Sequence, residues 1–338
     1  MQNSNKLLFF FILVLSTMIS ISSNSWLGCW IGLEINLLSF IPLINKSNNL
    51  LISEASLKYF LIQTLSSMNF LFFILLNLFL NNNSYLIFNF FLILLVNLPL
   101  LMKMGAAPLH FWFPQVMEGL SWMNCIILMT WQKISPMIIL SYCFLNKLIY
   151  FFIIMSSIFG ALGGFNQSSL KKLMTYSSIN HLSWMLSTLI INENLWNFYF
   201  LIYSFLTINI CLMFYFLNMF FLNQLFYLNT NYFIKMFMFF NLISLSGMPP
   251  FLGFLPKWMV IYFYMNNFNY FLIFIMIMCN LITMFFYIQI TYSSLIINYM
   301  KIKWYKIYLN MNIKSFMIMS LFSNISLIIM SSLVYLFY

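Results

Sequence analysis

The sequence contains no arginine and no aspartate, and charged residues make up only 5% of its 338 positions. Soluble domains carry roughly 25% charged residues. Hydrophobic residues account for 64% of the chain, and its mean hydropathy is +0.96. Because no soluble fold can hide that much apolar surface, the composition excludes a soluble enzyme and predicts a polytopic membrane protein.

Residues that build metal and redox sites are also scarce. The chain has two histidines, His110 and His181, far apart in the sequence, and five cysteines without a CxxC pair. All five cysteines lie in apolar segments, where cysteine is commonly a small buried hydrophobic residue. The sequence also lacks a glycine-rich phosphate loop, a Ser/His/Asp set and a paired-acid motif. We therefore expect no metal, disulfide or redox cofactor in this chain.

Eleven apolar segments are long enough for the ~20 residues that cross a hydrocarbon core. Only helices span lipid one segment at a time. The sequence thus predicts an all-α polytopic membrane protein with about eleven transmembrane helices. The predicted segments are 7–22, 26–45, 55–80, 85–119, 122–145, 148–164, 171–190, 195–222, 235–264, 268–298 and 314–337.

The lysines fall mostly on one side of the predicted membrane. With eleven spans, Lys147 lies on one side and a large group of lysines on the other. Because basic loops stay inside, this distribution predicts an inside N-terminus and an outside C-terminus. We interpret the group as an orientation signal that touches anionic headgroups, and not as a nucleic-acid surface. Its members are Lys6, Lys46, Lys58, Lys171, Lys172, Lys235, Lys301, Lys303, Lys306 and Lys314.

Four charged residues, Glu34, Lys103, Lys133 and Lys257, fall inside the predicted spans and away from their ends. A charge at the bilayer centre costs about 2.5 to 3.5 kcal/mol, so such residues usually face a bundle interior or a water path. A lysine can also extend its ammonium to the headgroups, and this alternative stays open for Lys103.

Two predicted spans are interrupted beside one of these lysines. Segment 85–119 is too long for one ordinary crossing, and GAAP interrupts it just after Lys103. In segment 235–264, the sequence SGMPPFLGFLPKW places two glycines and three prolines just before Lys257. Unwound backbone at membrane depth is tolerated only where it meets protein or water.

Two prolines are expected to free a backbone carbonyl beside a buried lysine. A proline cannot donate to the carbonyl four residues back. Pro108 should therefore free the carbonyl of Met104, and Pro136 that of Gln132.

The interrupted spans are the fourth and the ninth, five apart. Because five is odd, two five-helix units must run in opposite directions, and broken helices at matching positions of inverted repeats point to a transport pathway. The predicted organisation is a first repeat at 1–146, a second at 147–299, and a basic loop with a C-terminal transmembrane helix at 300–338.

The buried charges predict a proton pathway. Burial disfavours the charged form of a lysine, whereas a nearby carboxylate favours it. Movement of that carboxylate, or of its charge partner, would switch the proton affinity. Lysines repel metal cations, so a proton relay fits Glu34, Lys103, Lys133 and Lys257 better than a cation site; an anion pathway stays open.

Several long stretches resemble the antiporter-like membrane subunits of respiratory complex I, nearly end to end with the mitochondrial members. They include SNSWLGCWIGLEINLLSFIPL, KMGAAPLHFWFP, GALGGFNQSSLKKLMTYSSINHL and SLSGMPPFLGFLPKW. The resemblance implies proton translocation across the mitochondrial inner membrane, with the N-terminus in the matrix and the C-terminus in the intermembrane space. Electron transfer from NADH to ubiquinone in other subunits would drive it. NADH, FMN, iron–sulfur clusters and ubiquinone belong to the implied complex, and none of them to this chain.

The resemblance also implies residue roles. Glu34 in GLEINLLSF corresponds to a glutamate that pairs with the lysine of the first broken helix, Lys103. Lys133 in WQKISP corresponds to the central relay lysine, and Lys257 in FLPKW to the lysine of the second broken helix, near the exit.

His110 and His181 also fall in matching motifs and are possible relay residues. Each could instead be structural, packed against Trp112 or Trp184.

The implied partners are other membrane subunits of the complex, especially chain 4 and chain 4L, together with accessory subunits. Inner-membrane lipid such as cardiolipin would suit the basic surface at 301–306. No nucleic-acid partner is implied. Two alternatives stay open: a stand-alone cation/proton antiporter of the same fold, and a structural subunit whose buried lysines move no protons.

Overall fold

A computed structural model gives the fold of residues 2–45, 49–80, 86–143, 145–227, 232–266 and 269–299. These residues form α-helices and no β-strand beyond one isolated bridge between Ser169 and Phe221, which confirms the all-α fold. The helices are α1 (Gln2–Ser22), α2 (Trp26–Ile44), α3 (Leu50–Leu80), α4 (Leu86–Met104), α5 (Trp112–Gly119), α6 (Trp122–Met129), α7 (Trp131–Tyr142), α8 (Asn146–Gly164), α9 (Leu170–Ile191), α10 (Glu193–Phe216), α11 (Leu222–Tyr227), α12 (Tyr232–Ser246), α13 (Phe254–Asn266) and α14 (Tyr270–Tyr299).

Within the described residues, seven helical stretches are long and apolar enough to cross a membrane. Two shorter apolar stretches, Ile93–Met104 and Lys235–Ser246, each end at an interruption. The predicted last span, 314–337, lies outside the described residues, as do Lys46, Lys301, Lys303, Lys306 and Lys314. The total of eleven spans therefore stays a prediction. The seven stretches are Ser4–Ser22, Trp26–Ile44, Leu50–Phe79, Trp122–Tyr142, Asn146–Gly164, Glu193–Phe216 and Tyr270–Leu295.

The chain divides into two compact units, Met1–Phe152 and Ile153–Tyr338. In the first unit α1 packs along α2, and α3 packs against α2, α4 and α5. Gly32 allows the close approach of α1 and α2, because a Cβ at this position would lie 2.7 Å from the backbone nitrogen of Ser20. Small residues at such contacts let membrane helices approach closely.

In the second unit α9 contacts α10, α13 and α14 and is buried along almost its whole length. The helix is rich in serine and threonine, and the hydroxyls at its buried positions donate to carbonyls three residues back, as Ser178 does to Thr175. Such bonds satisfy a hydroxyl inside a bundle without breaking the helix. The second unit therefore has a polar helix at its centre, and this polarity explains why α9 is missing from the apolar stretches above.

One predicted continuous helix, 122–145, is kinked. Its two parts, α6 and α7, meet at Thr130, and the Lys133 N–H donates to the Thr130 carbonyl only three residues back (3.2 Å). Pro136 lies inside α7, as predicted beside Lys133, and the Gln132 carbonyl four residues earlier has no helical N–H donor there. Kinks commonly lie in the turns before a proline, which accounts for the break.

All six described lysines that the sequence assigns to one side of the membrane or the other lie in helices: Lys6, Lys58, Lys147, Lys171, Lys172 and Lys235. Lys235 is buried in α12, and Lys171 is buried in α9 with its Nζ 5.2 Å from the Phe220 ring centroid. Lys58 lies in α3, which begins earlier than predicted, and forms an ion pair with Glu54 (2.6 Å). The apolar stems of lysines allow them to pack inside a helix end, so hydropathy places the boundaries too late.

Candidate functional site

Among the described residues, each unit contains a helix that is interrupted by a seven-residue linker, and the two interruptions begin with the same backbone motif. After α4, Gly105 has φ +73°, and after α12, Gly247 has φ +80°. Each glycine N–H donates to the carbonyl three residues back, at 3.1 and 3.0 Å, and the next N–H donates five residues back, at 3.1 and 3.5 Å. This is the Schellman cap, which needs a positive φ that glycine adopts without steric cost.

The two linkers, 105–111 and 247–253, also have the same length. In each, a proline follows the glycine after three positions, at Pro108 and Pro250, and the peptide bond before it is cis. The second half of each interrupted helix begins seven positions after the glycine, at Trp112 and at Phe254. The segments predicted as 85–119 and 235–264 are therefore interrupted in the same way.

Pro108 does not act as the sequence analysis expects. It lies in the linker beyond the last residue of α4, so no helical N–H would have reached the Met104 carbonyl in any case. Side chains satisfy neighbouring carbonyls at this helix end. Trp112 Nε1 donates to the Met102 carbonyl (3.1 Å), and Gln63 Nε2 donates to the Lys103 carbonyl (3.2 Å). The end of α4 is thus capped by neutral groups.

Lys103 and Lys133 line the same cavity in the first unit. Both side chains are buried, with 7% and 2% of their surface exposed. The cavity measures about 20 Å³, enough for roughly one water molecule. Two further lining residues join α2 to α7, because Gln132 Nε2 donates to Asn36 Oδ1 (2.9 Å). The Lys133 ammonium also lies 5.6 Å from the Phe113 ring centroid, a favourable cation–π distance.

Glu34 lies in α2 and interacts electrostatically with Lys103. Its side chain is half-buried, and Oε1 is fully buried without a hydrogen-bond donor in the described structure. Of the residues that the structure describes, Glu34 and Lys103 do not form a direct ion pair. Glu34 therefore acts on Lys103 over a longer distance than a direct ion pair. The cavity that Lys103 lines is bordered by residues of both α2 and α4.

Lys257, in α13 of the second unit, is 2% exposed and reaches back across the interruption. Its Nζ donates to the Ser246 carbonyl at the end of α12 (2.8 Å) and to Asn280 Oδ1. It also lies 5.8 Å from the Trp184 ring centroid. A cation at the C-terminus of a helix satisfies a free carbonyl and interacts favourably with the helix dipole.

His181 joins three helices of the second unit. Its Nε2 lies 3.1 Å from the Leu245 carbonyl, and its Nδ1 lies 2.9 Å from the Tyr199 hydroxyl. Since a carbonyl can only accept, the neutral ring carries its proton on Nε2 and accepts from Tyr199. The ring also packs against Tyr203, with 5.0 Å between centroids. His181 thus supports the end of the interrupted helix α12.

His110 lies in the first linker and is buried. Its ring stacks on that of Phe111, 4.6 Å between centroids. This aromatic partner differs from Trp112, the one expected from the sequence.

Amide side chains, which the sequence pattern did not indicate, contact the lysine sites. Asn36, Gln63 and Gln132 line the cavity of Lys103 and Lys133, and Asn280 binds Lys257. An amide inside an apolar span is a possible signal for such residues. Asparagine is so common in this chain that the signal does not discriminate.

Interrupted helices beside buried lysines, within an apolar all-helical chain, are the arrangement of ion-translocating membrane proteins. The fold and the site therefore define a protein of this transporter-like class.

Comparisons with known proteins agree. Residues 23–283 match the family model of the NADH:quinone oxidoreductase/Mrp antiporter transmembrane region. The chain is 49% identical to the NADH-ubiquinone oxidoreductase chain 2 of Anopheles gambiae, over 99% of both chains. It is 35% identical to that of Bos taurus, over 89% of this chain and 90% of the relative. The chain belongs to this family, within its chain 2 branch.

Solved structures show the same fold. A chain of respiratory complex I from Thermus thermophilus with bound aureothin aligns with a TM-score of 0.78 at 21% identity, over 86% of this chain and 70% of that one. A chain of the Mrp complex from a Dietzia species aligns with a TM-score of 0.73 at 13% identity, over 83% and 59%.

Proposed function

We propose that this chain is a membrane-arm subunit of respiratory complex I that translocates protons across the mitochondrial inner membrane. Electron transfer from NADH to ubiquinone, in other subunits, drives the translocation, and this chain binds no cofactor of its own. The observation that carries the proposal is the pair of buried lysines, Lys103 and Lys133, on one cavity beside an interrupted helix. Buried charge of this kind marks an ion pathway more often than a structural contact.

The proposed relay consists of Glu34, Lys103, Lys133 and Lys257. The cavity between Lys103 and Lys133 has room for about one water, through which a proton can pass from one amine to the other. The Glu34 carboxylate favours the protonated form of Lys103. When that carboxylate or its surroundings move, Lys103 loses this support and releases its proton toward Lys133.

His110 and His181 have different places in this proposal. His181 donates to the Leu245 carbonyl, which supports a structural role at the end of α12. His110, in the linker that follows Lys103, is the better candidate for a relay residue because it lies in the same interruption.

We further propose the architecture of eleven spans, with inverted repeats at 1–146 and 147–299 and a C-terminal helix within 300–338. The matching caps and linker lengths at the two interruptions support the repeats. The lysine distribution supports an N-terminus in the matrix and a C-terminus in the intermembrane space.

The proposed partners are chain 4, chain 4L, accessory subunits and cardiolipin. Exposed apolar side chains along α1 and α3, such as Leu15, Leu61 and Met68, support burial of these faces by lipid or neighbouring subunits. The basic segment at 301–306 supports a lipid contact.

The test is the number of protons translocated per NADH oxidised, in sealed membranes that carry Lys133→Met. Lys147→Met is the matched control, because Lys147 is an exposed lysine at the start of α8. We expect both complexes to assemble, and only Lys133→Met to lower the ratio or the coupled rate. Equal ratios and rates in the two variants would refute the relay.

One observation favours a second candidate, a structural role for the lysines. Lys257 caps α12 through the Ser246 carbonyl, as a purely structural cation would. On this reading, a Lys257→Met complex that assembles keeps its proton ratio. On the relay reading, the ratio falls even in fully assembled complex.

A further inference from the structure

The second unit contains an open cavity that the proposed relay does not use. It lies among the end of α8, the first turn of α9, α11 and the second half of α14, and measures about 310 Å³. Its lining is rich in neutral polar side chains, including Asn166, Gln167, Ser168, Asn223 and Gln289. Asn166, Ser168 and Asn223 are exposed, so the cavity opens at the surface of the unit. At about 30 Å³ for each molecule, it holds on the order of ten waters.

Nearer the middle of α9 and α14, polar contacts begin at Lys257. Its Nζ donates to Asn280 Oδ1, and Thr283, one turn further along α14, donates to the Asn280 carbonyl (2.8 Å). Asn180 Nδ2 of α9 in turn donates to Thr283 Oγ1 (3.4 Å). A continuous set of polar contacts therefore leads from the lysine to the α9–α14 interface.

The next turn continues toward the cavity. Tyr287 follows Thr283 by one turn on the buried face of α14, and its hydroxyl lies beside Ser177 of α9. One turn further, Leu173 of α9 and Ile290 of α14 line the open cavity. Residue numbers fall along α9 as they rise along α14, so the two helices run antiparallel. The contacts thus cover the distance from Lys257 to the cavity in steps of about one helical turn.

Four polar atoms along this interface are buried without a hydrogen bond of normal length in the part of the chain that the structure describes. Asn180 Oδ1 and the Tyr287 hydroxyl are buried without a hydrogen bond of normal length, although their residues are only 2% and 0% exposed. Ser169 Oγ, near the cavity, is also buried without a hydrogen-bond partner among the described residues. The same is true of Trp184 Nε1, whose ring lies beside Lys257. Buried polar groups are nearly always satisfied, by protein or by ordered water. Internal waters along α9 and α14 would satisfy these four.

We propose that the open cavity and the α9–α14 interface form a proton-access route to Lys257. The inference rests on the proposed function, in which Lys257 takes up and releases protons. Water in the cavity delivers a proton to the interface, where the Tyr287 and Thr283 hydroxyls each accept one proton on a lone pair and release their own. No net charge remains on either hydroxyl after each transfer. Asn180 and Asn280 position the connecting water and the lysine ammonium.

The test uses two conservative variants, Thr283→Val and Tyr287→Phe, each of which removes a hydroxyl and keeps the side-chain shape. Thr291→Val is the matched control. Thr291 is also buried in α14, and its hydroxyl donates three residues back at the same 2.8 Å, but it does not line the cavity. Assembly, coupled NADH oxidation and protons per NADH are measured in sealed membranes, in H₂O and D₂O.

We expect Thr283→Val and Tyr287→Phe to slow coupled NADH oxidation several-fold and to enlarge its solvent isotope effect. A blocked route makes proton uptake rate-limiting, whereas a merely structural defect leaves the isotope effect unchanged. Thr291→Val should match the unmodified complex. Thr283→Ser, which restores the hydroxyl, should recover the rate.

Lys257→Met separates failure of the route from failure of the proposed function. If this variant lowers the proton ratio while Thr283→Val and Tyr287→Phe behave like Thr291→Val, the route is wrong and the relay stands. If assembled Lys257→Met complex keeps its ratio, the relay through Lys257 is wrong and the route falls with it.

Discussion

The two interruptions have the same backbone conformation at the glycine cap and the same linker length. They differ in which half of the interrupted helix carries the buried lysine. Lys103 precedes its glycine and belongs to the first half of its interrupted helix, whereas Lys257 follows its glycine and belongs to the second half. In the first unit, neutral groups of Trp112 and Gln63 satisfy the carbonyls at the helix end. In the second unit, the lysine ammonium itself binds the Ser246 carbonyl.

We infer that the lysine of the second unit also stabilises a helix end, whereas the lysine of the first unit does not. The Met102 and Lys103 carbonyls at the end of α4 receive hydrogen bonds from Trp112 and Gln63. The Lys103 ammonium is not needed as their donor, so a change in the charge of Lys103 should cost the fold little. The charge of Lys257 is part of the helix cap, so its deprotonation also weakens the contact with α12. We infer that the second interruption couples proton transfer to helix position more tightly than the first.

The largest effect is expected from Gly253→Ala, at the end of the second linker. A Cβ at Gly253 would lie 1.8 Å from the Ser244 carbonyl oxygen, so the linker and α12 could not keep their contact. We expect this variant to abolish assembly, as measured by the amount of complex on a native gel. The equivalent position in the first linker is Phe111, which is 69% exposed. Phe111→Ala is therefore the control and should assemble, and normal assembly of Gly253→Ala would contradict the described packing.

A smaller effect is expected from the removal of each lysine. Lys257→Met leaves the Ser246 carbonyl without its donor, at a cost of about 1–3 kcal/mol. Lys103→Met combined with Glu34→Gln removes both charges of the first site and leaves no unpaired carboxylate. We expect the midpoint of heat inactivation to fall for Lys257→Met and to change little for the double variant. A larger fall of the midpoint in the double variant would mean that the charges of the first site, and not Lys257, contribute more to stability.

Alanine at Gly247 should have a larger effect than alanine at Gly105, as expected if the second interruption is the more sensitive one. Alanine at a positive φ costs about 1–2 kcal/mol at either position. At Gly247 a new Cβ would also lie 2.9 Å from the Lys257 Nζ, whereas at Gly105 its nearest contact is Phe113 Cβ at 3.3 Å. We expect Gly105→Ala to lower thermal stability alone, and Gly247→Ala to lower both stability and protons per NADH. An unchanged proton ratio in Gly247→Ala would show that displacement of Lys257 has no functional effect.

The interruptions were predictable from sequence because glycine and proline act on the backbone locally. GAAP and GMPP fall inside long apolar runs, and both helices end at these sites. The buried positions of Lys103, Lys133 and Lys257 follow from the same reasoning, since charge inside a span must face protein or water.

The contacts of those lysines were not predictable. Which carbonyl receives the ammonium of Lys257 depends on how α12, α13 and α14 pack, and local patterns do not encode this packing. The kink at Thr130 was missed because hydropathy is continuous across it. The burial of Lys235 was missed because hydropathy scales treat a lysine as a single polar unit, although most of its atoms are apolar.

The smallest expected effect is that of Trp112→Phe, which gives the first interruption the aromatic residue found at the start of α13, Phe254. The change removes the bond from Trp112 Nε1 to the Met102 carbonyl (3.1 Å), a loss of about 1 kcal/mol. The cost stays small because that carbonyl also accepts the Gly105 N–H (3.1 Å).

We therefore expect a slight fall in the heat-inactivation midpoint of Trp112→Phe and an unchanged proton ratio. Trp26→Phe is the control, because Trp26 packs edge-on against Phe70 outside the cavity of Lys103. A lowered proton ratio at unchanged stability would mean that the indole acts on Lys103 itself. The residues that cap α4 would then also affect proton transfer at Lys103, and the proposed difference between Lys103 and Lys257 would be wrong.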